Sequence, residues 1–191
     1  MPDCLNPVRQ ILAAARFAAD RHAAQRRKGR TAEPYVNHLL EVAELLARTA
    51  DGLDTNLIVA ALLHDTIEDV GVTRAEIAER FGEDVASLVA EVTDDKSLPK
   101  ETRKALQVEH APEKSPRAQA LSAADKIANV RSIATSPPAN WTFERRVEYV
   151  RWARQVVGRY NQLSGRLAAE FQQVSAELQE WEKSGGTNDF F

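Results

Sequence analysis

One stretch limits the possible folds of this chain more than any other. From Leu57 the sequence runs LIVAALLH to His64, apolar on nearly every side, and breaks into charge at Asp65, Glu68 and Asp69, with one helix expected from about Leu57 to Ile67. A helix with no polar face has to lie inside a protein, wrapped by other elements. It is also too short to cross a bilayer, which takes ~20 apolar residues. The remaining chain offers suitable wrapping. Leu39, Leu40, Val42, Ala43, Leu45 and Leu46 form a helical stripe that Gly52 is expected to end. Val85, Leu88, Val89 and Val92 form another, and Leu163, Leu167, Phe171, Val174 and Leu178 a third. The last is expected to cover either the chain's own core or a second subunit. Thr73 followed by Glu76 is a capping box, and Ser115-Pro116 opens a long helix that SPPAN at 136–140 breaks. Period-2 alternation is nearly absent. The expected class is all-α, a compact bundle of about 8–10 helices.

At 191 residues the chain suits one domain, 1–191, with a core over about 8–182 and a flexible tail at 184–191. The net charge of −3 argues against broad nucleic-acid binding, so any anion site must be local. Cys4 stands alone, which excludes a disulfide framework and a cysteine-rich zinc site and fits a reducing compartment. No signal peptide or membrane span is legible, so a cytoplasmic protein that does not engage membranes is expected. Oligomeric state is not encoded in any readable pattern.

The charge burst carries the chemistry. On a continuous helix His64 and Glu68 are i, i+4 neighbours, and so are Asp65 and Asp69. Three carboxylates crowded at a buried helix end repel one another, and without a cation some would take up protons. Their place at a helix carboxy terminus would also oppose the macrodipole. A divalent metal resolves the conflict; the competing reading is a solvated, charged terminus. Further ligands have to come from elsewhere. His38 opens a helix, and Asp125 sits among small apolar residues, where an unpaired carboxylate is costly. Two imidazoles and two carboxylates suit Mn²⁺, Fe²⁺ or Zn²⁺. His22 and His110 have no such context and read as ordinary histidines, and Cys4 as a bystander thiol.

The order His38, His64-Asp65, Asp125 resembles the signature of the HD phosphohydrolases. The flanking segments are more specific: RRKG at 26–29, EPYVNH at 33–38, ALLHDTIEDV at 61–70, VTDDKSLPK at 92–100 and LSAADKIANVRSI at 121–133. They resemble the hydrolase domain of RelA/SpoT proteins, above all the stand-alone small alarmone hydrolases that include the metazoan SpoT homologues. The resemblance spans roughly residues 8–182. It implies an HD-domain helical bundle and removal of the 3′-pyrophosphate from the nucleotide (p)ppGpp, with one Mn²⁺ per chain. It puts the metal on His38, His64, Asp65 and Asp125, and gives Glu68 and Asp69 the activation of water. It implies nucleotide contacts from Arg27, Lys28 and Asn129, and a phosphate-side lining of Lys100, Arg145 and Tyr149. No segment matches a synthetase domain, so synthesis of (p)ppGpp is not expected. The longer loop between Lys28 and Pro34 resembles the metazoan form. Two alternatives stand beside this reading: another nucleotide phosphohydrolase, such as an NADPH 2′-phosphatase, and an inactive helical module that only binds nucleotide or a partner.

Overall fold

A computed structural model describes residues 6–50 and 52–185, with the side chain of Leu178 excepted. Cys4 and the end of the tail, 186–191, lie outside the described residues. Ten α-helices, one 3-10 turn (Ala111–Glu113) and two isolated β-bridges make up the regular structure among these residues, in agreement with an all-α class. In chain order the helices are α1 (Pro7–Arg21), α2 (Val36–Thr49), α3 (Thr55–Leu63), α4 (Thr66–Val70), α5 (Arg74–Phe81), α6 (Glu83–Val92), α7 (Lys100–Glu109), α8 (Pro116–Thr135), α9 (Phe143–Val157) and α10 (Gly165–Lys183). No helix among the described residues is long and apolar enough to cross a membrane.

The apolar run is the central element. Every residue of α3 from Leu57 to Leu63 is buried, and α3 packs against α1, α2, α6 and α8. Asp54 starts it by accepting from the Leu57 amide at 3.0 Å. Leu39 and Leu45 of α2, Leu62 and Leu63 of α3, and Leu121 and Ile127 of α8 are all fully enclosed. The stripe on α10 turns inward: Leu167 and Val174 are buried in the core, with Leu163 and Phe171 packed against it.

Local chemistry moves two boundaries from where the pattern put them. Helix α2 ends at Thr49 rather than at Gly52, and the Thr49 hydroxyl donates to the Leu45 carbonyl at 2.7 Å. The apolar run also does not continue as one helix to Ile67. His64 Nδ1 donates to the Ala61 carbonyl at 2.8 Å, and Thr66 Oγ1 donates to the Leu63 carbonyl at 2.6 Å. Those side chains take carbonyls that a continuing ladder would use, so α3 stops and α4 begins. Glu68 and Asp69 therefore sit in the first turn of a short new helix, not at the tail of a long one. The capping box at Thr73 is half made. Thr73 Oγ1 accepts from the Glu76 amide at 3.1 Å, while the Glu76 carboxylate pairs with Arg21 and Arg80.

Candidate active site

The break between α3 and α4 lets His64 and Asp65 face His38 of α2 and Asp125 of α8. His38 Nε2 lies 3.8 Å from Asp65 Oδ2 and 3.2 Å from Asp125 Oδ1. His64 Nε2 lies 3.1 Å from Asp65 Oδ2 and 3.7 Å from Asp125 Oδ1. The two rings are 2% and 5% exposed, so water does not mediate between them freely.

Donor accounting tests whether a metal fits. The Ala61 carbonyl can only accept, so His64 Nδ1 carries a hydrogen and Nε2 is the nitrogen that faces two carboxylate oxygens, with a lone pair when the ring is neutral. Both ring nitrogens of His38 and Nε2 of His64 are buried without a hydrogen-bond partner. Lone pairs and carboxylates converge on one point, which is tolerable only around a cation. Their spacing suits ligands that share an ion at ~2.1 Å. The donor set fits a divalent metal. Without an ion the cluster draws its positive charge from His64. Burial opposes charge on His64, yet the pull of Asp65 and Asp125 raises its pKa well above the ordinary value. Burial outweighs Asp125 at His38 and lowers its pKa, which favours a neutral, ligating ring. Burial would raise the Asp125 carboxyl, but Lys126 and both histidines hold it well below the carboxylate range.

Glu68 and Asp69 stand beside this cluster on two different sides. Glu68 Oε2 accepts from the Asp94 amide at 3.4 Å, and Lys96 Nζ lies 3.5 Å from Glu68 Oε1 and 2.6 Å from Asp69 Oδ1. Burial, then Asp65, then Asp94 raise the Glu68 pKa, against the opposing pull of Lys96 and the Asp94 amide.

Three adjoining hollows lead away from the cluster. The first, about 150 Å³, is lined by His64, Asp65, Glu68, Asp125 and Asn129. The second, about 280 Å³, shares Tyr35 and Asn129 with it and adds Arg27, Lys28, Asp69, Trp141 and Tyr149. The third, about 400 Å³, shares Trp141 and Tyr149 and adds Lys100, Lys104 and Arg145. Arg27, Lys28 and Asn129 thus come together, while Lys100 and Arg145 lie one hollow further out and Tyr149 joins the two. Burial and the neighbouring charges of Lys104, Arg145 and Lys28 lower the Lys100 pKa.

The basic loop is pinned from behind. Gly29 pairs with Pro138 in an isolated bridge, and a Cβ at Gly29 would stand 2.4 Å from the Ser136 carbonyl oxygen. Only glycine permits that approach. Arg27 is thereby aimed inward, both its Nη atoms donating to Asn129 Oδ1 at 3.1 Å, while Asn129 Nδ2 donates to Asp125 Oδ1 at 2.6 Å.

Two residues at the cluster escape sequence reasoning. The Tyr35 hydroxyl donates to Asp65 Oδ2 at 2.6 Å; its place in PYVNH, one helical turn before His38, is the available signal. Lys126 is 6% exposed, its ammonium 2.9 Å from Asp125 Oδ2 and 5.2 Å from the Trp152 ring centre. Adjacent helix positions do not share a face, so its role depends on α9 closing over α8.

Comparison with known proteins bears on this geometry. A family model described as HD domain matches residues 14–169. Guanosine-3′,5′-bis(diphosphate) 3′-pyrophosphohydrolase MESH1 of Xenopus tropicalis is 49% identical over 147 residues, 77% of this chain and 82% of that protein. The Homo sapiens protein of the same name is 49% identical over 148 residues, 78% of this chain and 83% of that protein. A solved structure of a metazoan orthologue of SpoT that hydrolyses ppGpp and plays a role in starvation responses superposes with a TM-score of 0.84 at 37% identity. It covers 93% of this chain and 96% of its own. The family match over residues 14–169 and the 49% identity to relatives along more than three quarters of the chain lead to one assignment: this chain belongs to the HD-domain family.

Proposed function

We propose that the chain is a Mn²⁺-dependent (p)ppGpp 3′-pyrophosphohydrolase, producing GDP or GTP and pyrophosphate. The observation that carries this reading is a single trough. Its inner end holds a metal-fitting cluster beside two acids, its middle carries Arg27 and Lys28, and its outer end sets Lys100, Lys104 and Arg145 beside Trp141 and Tyr149, with Glu101, Glu144 and Glu148 on the same walls. A nucleotide with phosphate groups at both ends of its ribose has that polarity. The relatives named above share the activity.

His38, His64, Asp65 and Asp125 would hold the metal, with Tyr35 steadying the Asp65 oxygen that faces the histidines and Lys126 taking the outer oxygen of Asp125. A divalent ion there supplies positive charge that acidifies water and offsets charge on the transferring phosphoryl group. Glu68 accepts the water's proton at its carboxylate, and Asp69, steadied by Lys96, shares in passing it to the departing 3′-oxygen. Arg27 and Lys28 bind phosphate, Tyr149 and Trp141 wall the base, and Lys100 with Arg145 receives the 5′-phosphates.

The test is turnover of ppGpp, pppGpp, ppApp and NADPH with Mn²⁺, Zn²⁺ or no metal. Release of pyrophosphate from ppGpp, abolished by chelation, is expected. Exclusive release of phosphate from NADPH would replace this reading with a 2′-phosphatase, and no turnover at all would leave a binding module. A pH measurement probes Glu68. Asp94 is a negative neighbour that favours its protonated form, so Asp94→Asn lowers the Glu68 pKa. The acid limb of kcat/KM is expected to move to lower pH in that variant; an unmoved limb argues against Glu68 as the proton acceptor.

A further inference from the structure

His22 takes no part in the chemistry above, and its sequence context pointed to none. It caps the end of α1 and is 2% exposed. Its ring lies almost flat on Tyr35, centroids 5.1 Å apart with 16° between planes. Its Nδ1 is 2.5 Å from Gln25 Oε1, and Gln25 Nε2 is 2.8 Å from Asp69 Oδ2. The backbone locks the same three residues in register: the Gln25 amide donates to the His22 carbonyl at 2.9 Å, and the Tyr35 amide to the Gln25 carbonyl at 3.1 Å.

The donor inventory sets the direction of this chain. Asp69 also accepts from Lys96, so it is the acceptor toward Gln25 and must meet the amide nitrogen. Gln25 Oε1 then faces His22, and a carbonyl oxygen only accepts. His22 Nδ1 therefore carries the hydrogen. One buried ring stands behind both functional aspartates, behind Asp69 through Gln25 and behind Asp65 through the stacked Tyr35, whose hydroxyl holds Asp65 Oδ2.

We propose that His22 is a positioning residue: its Nδ1–H orients Gln25, which holds one oxygen of Asp69 while Lys96 holds the other, fixing the carboxylate for proton transfer. The inference rests on Asp69 serving the hydrolysis proposed above. A ring that merely filled space would contribute through packing alone, and the two roles separate by substitution. His22→Phe keeps the ring and the stack but puts carbon at the donor position. His22→Asn keeps a donor on Cγ but loses the ring.

Steady-state kinetics on ppGpp at saturating Mn²⁺ reads the difference. His22→Phe is expected to lower kcat about tenfold, the usual effect of losing a partner behind a functional side chain, with KM and Mn²⁺ affinity unchanged. His22→Asn is expected to melt at lower temperature yet keep the higher kcat of the two. Gln25→Met is expected to match His22→Phe, with no additional loss when combined, as for members of one linkage. A kcat for His22→Phe equal to that of the unaltered protein overturns the inference, as does a kcat order that follows melting temperature. ¹⁵N NMR of the His22 ring supplies a measurement independent of turnover. A hydrogen on Nδ1 is expected, and a bare Nδ1 overturns the inference even if the protein releases no pyrophosphate. Failure of the unaltered protein to turn over ppGpp would instead overturn the proposed function.

Discussion

A protein carrying Glu68→Ala and Asp69→Ala together is expected to turn over ppGpp about 10³-fold more slowly while still binding one Mn²⁺ per chain. The size of the loss is that of removing a positioned proton acceptor. Retention of metal follows from the separation of the two groups of acids. The ligand atoms of His38, His64 and Asp65 lie within 4.8 Å of one another, and Asp125 Oδ1 is 3.2 Å from His38 Nε2. Neither Glu68 nor Asp69 is among them. Both instead face Lys96, which is about half exposed and returns to water when they are removed. The fold should therefore survive with little change in melting temperature. Kinetics paired with metal titration decides the matter. Full turnover in the double variant would sink the assignment of the pair. Loss of metal together with turnover would place these acids among the ligands.

Lys126→Met is expected to cost about 3 kcal/mol in the metal-free protein, because it takes from the largely enclosed Asp125 carboxylate its one lysine partner. For a chain of this length that corresponds to a fall in Tm of roughly 10 °C. The ammonium lies 2.9 Å from Asp125 Oδ2 in a setting closed by Trp152, and burial opposes its charge more than any other single influence. The net pKa is nevertheless raised, so the lysine is held charged. Mn²⁺ should restore more stability to the variant than to the unaltered protein, since the ion supplies the missing positive charge and binds only the folded form. The pH dependence has a definite sign. Asp125 is depressed well below its ordinary 3.8, so its stabilisation is present above that value and is lost as pH falls through the folded pKa. In Lys126→Met the Asp125 pKa rises, and the deficit relative to the unaltered protein should narrow as the solution becomes acidic. Thermal melts with and without Mn²⁺ test both points; a fall under about 2 °C would mean that the pair adds nothing net.

The residues differ in how far sequence alone could place them. The all-α class was legible because Leu57–Leu63 has no polar face and must be enclosed, while the rest of the chain offers helical stripes and almost no period-2 alternation to enclose it with. The identities at 38, 64, 65 and 125 followed from charge crowding at His64-Asp65 and from motif resemblance, which are local properties of the chain. The unbroken helix expected across 57–67 failed for a local reason of another kind. His64 and Thr66 use their side chains on backbone carbonyls, a competition that apolar periodicity does not register.

The supports of the site were beyond sequence reasoning because each joins residues far apart in the chain. His22 reaches Asp69 only through Gln25. Lys126 meets Trp152 only because α9 folds over α8. Arg27 finds Asn129 only because Gly29 lets the basic loop lie against Ser136. Composition and helical spacing determined which groups bear charge and which faces are buried, since those depend on a residue and its near neighbours. Which buried donor meets which carboxylate is decided by the packing of one helix on another, and only the tertiary structure could supply it.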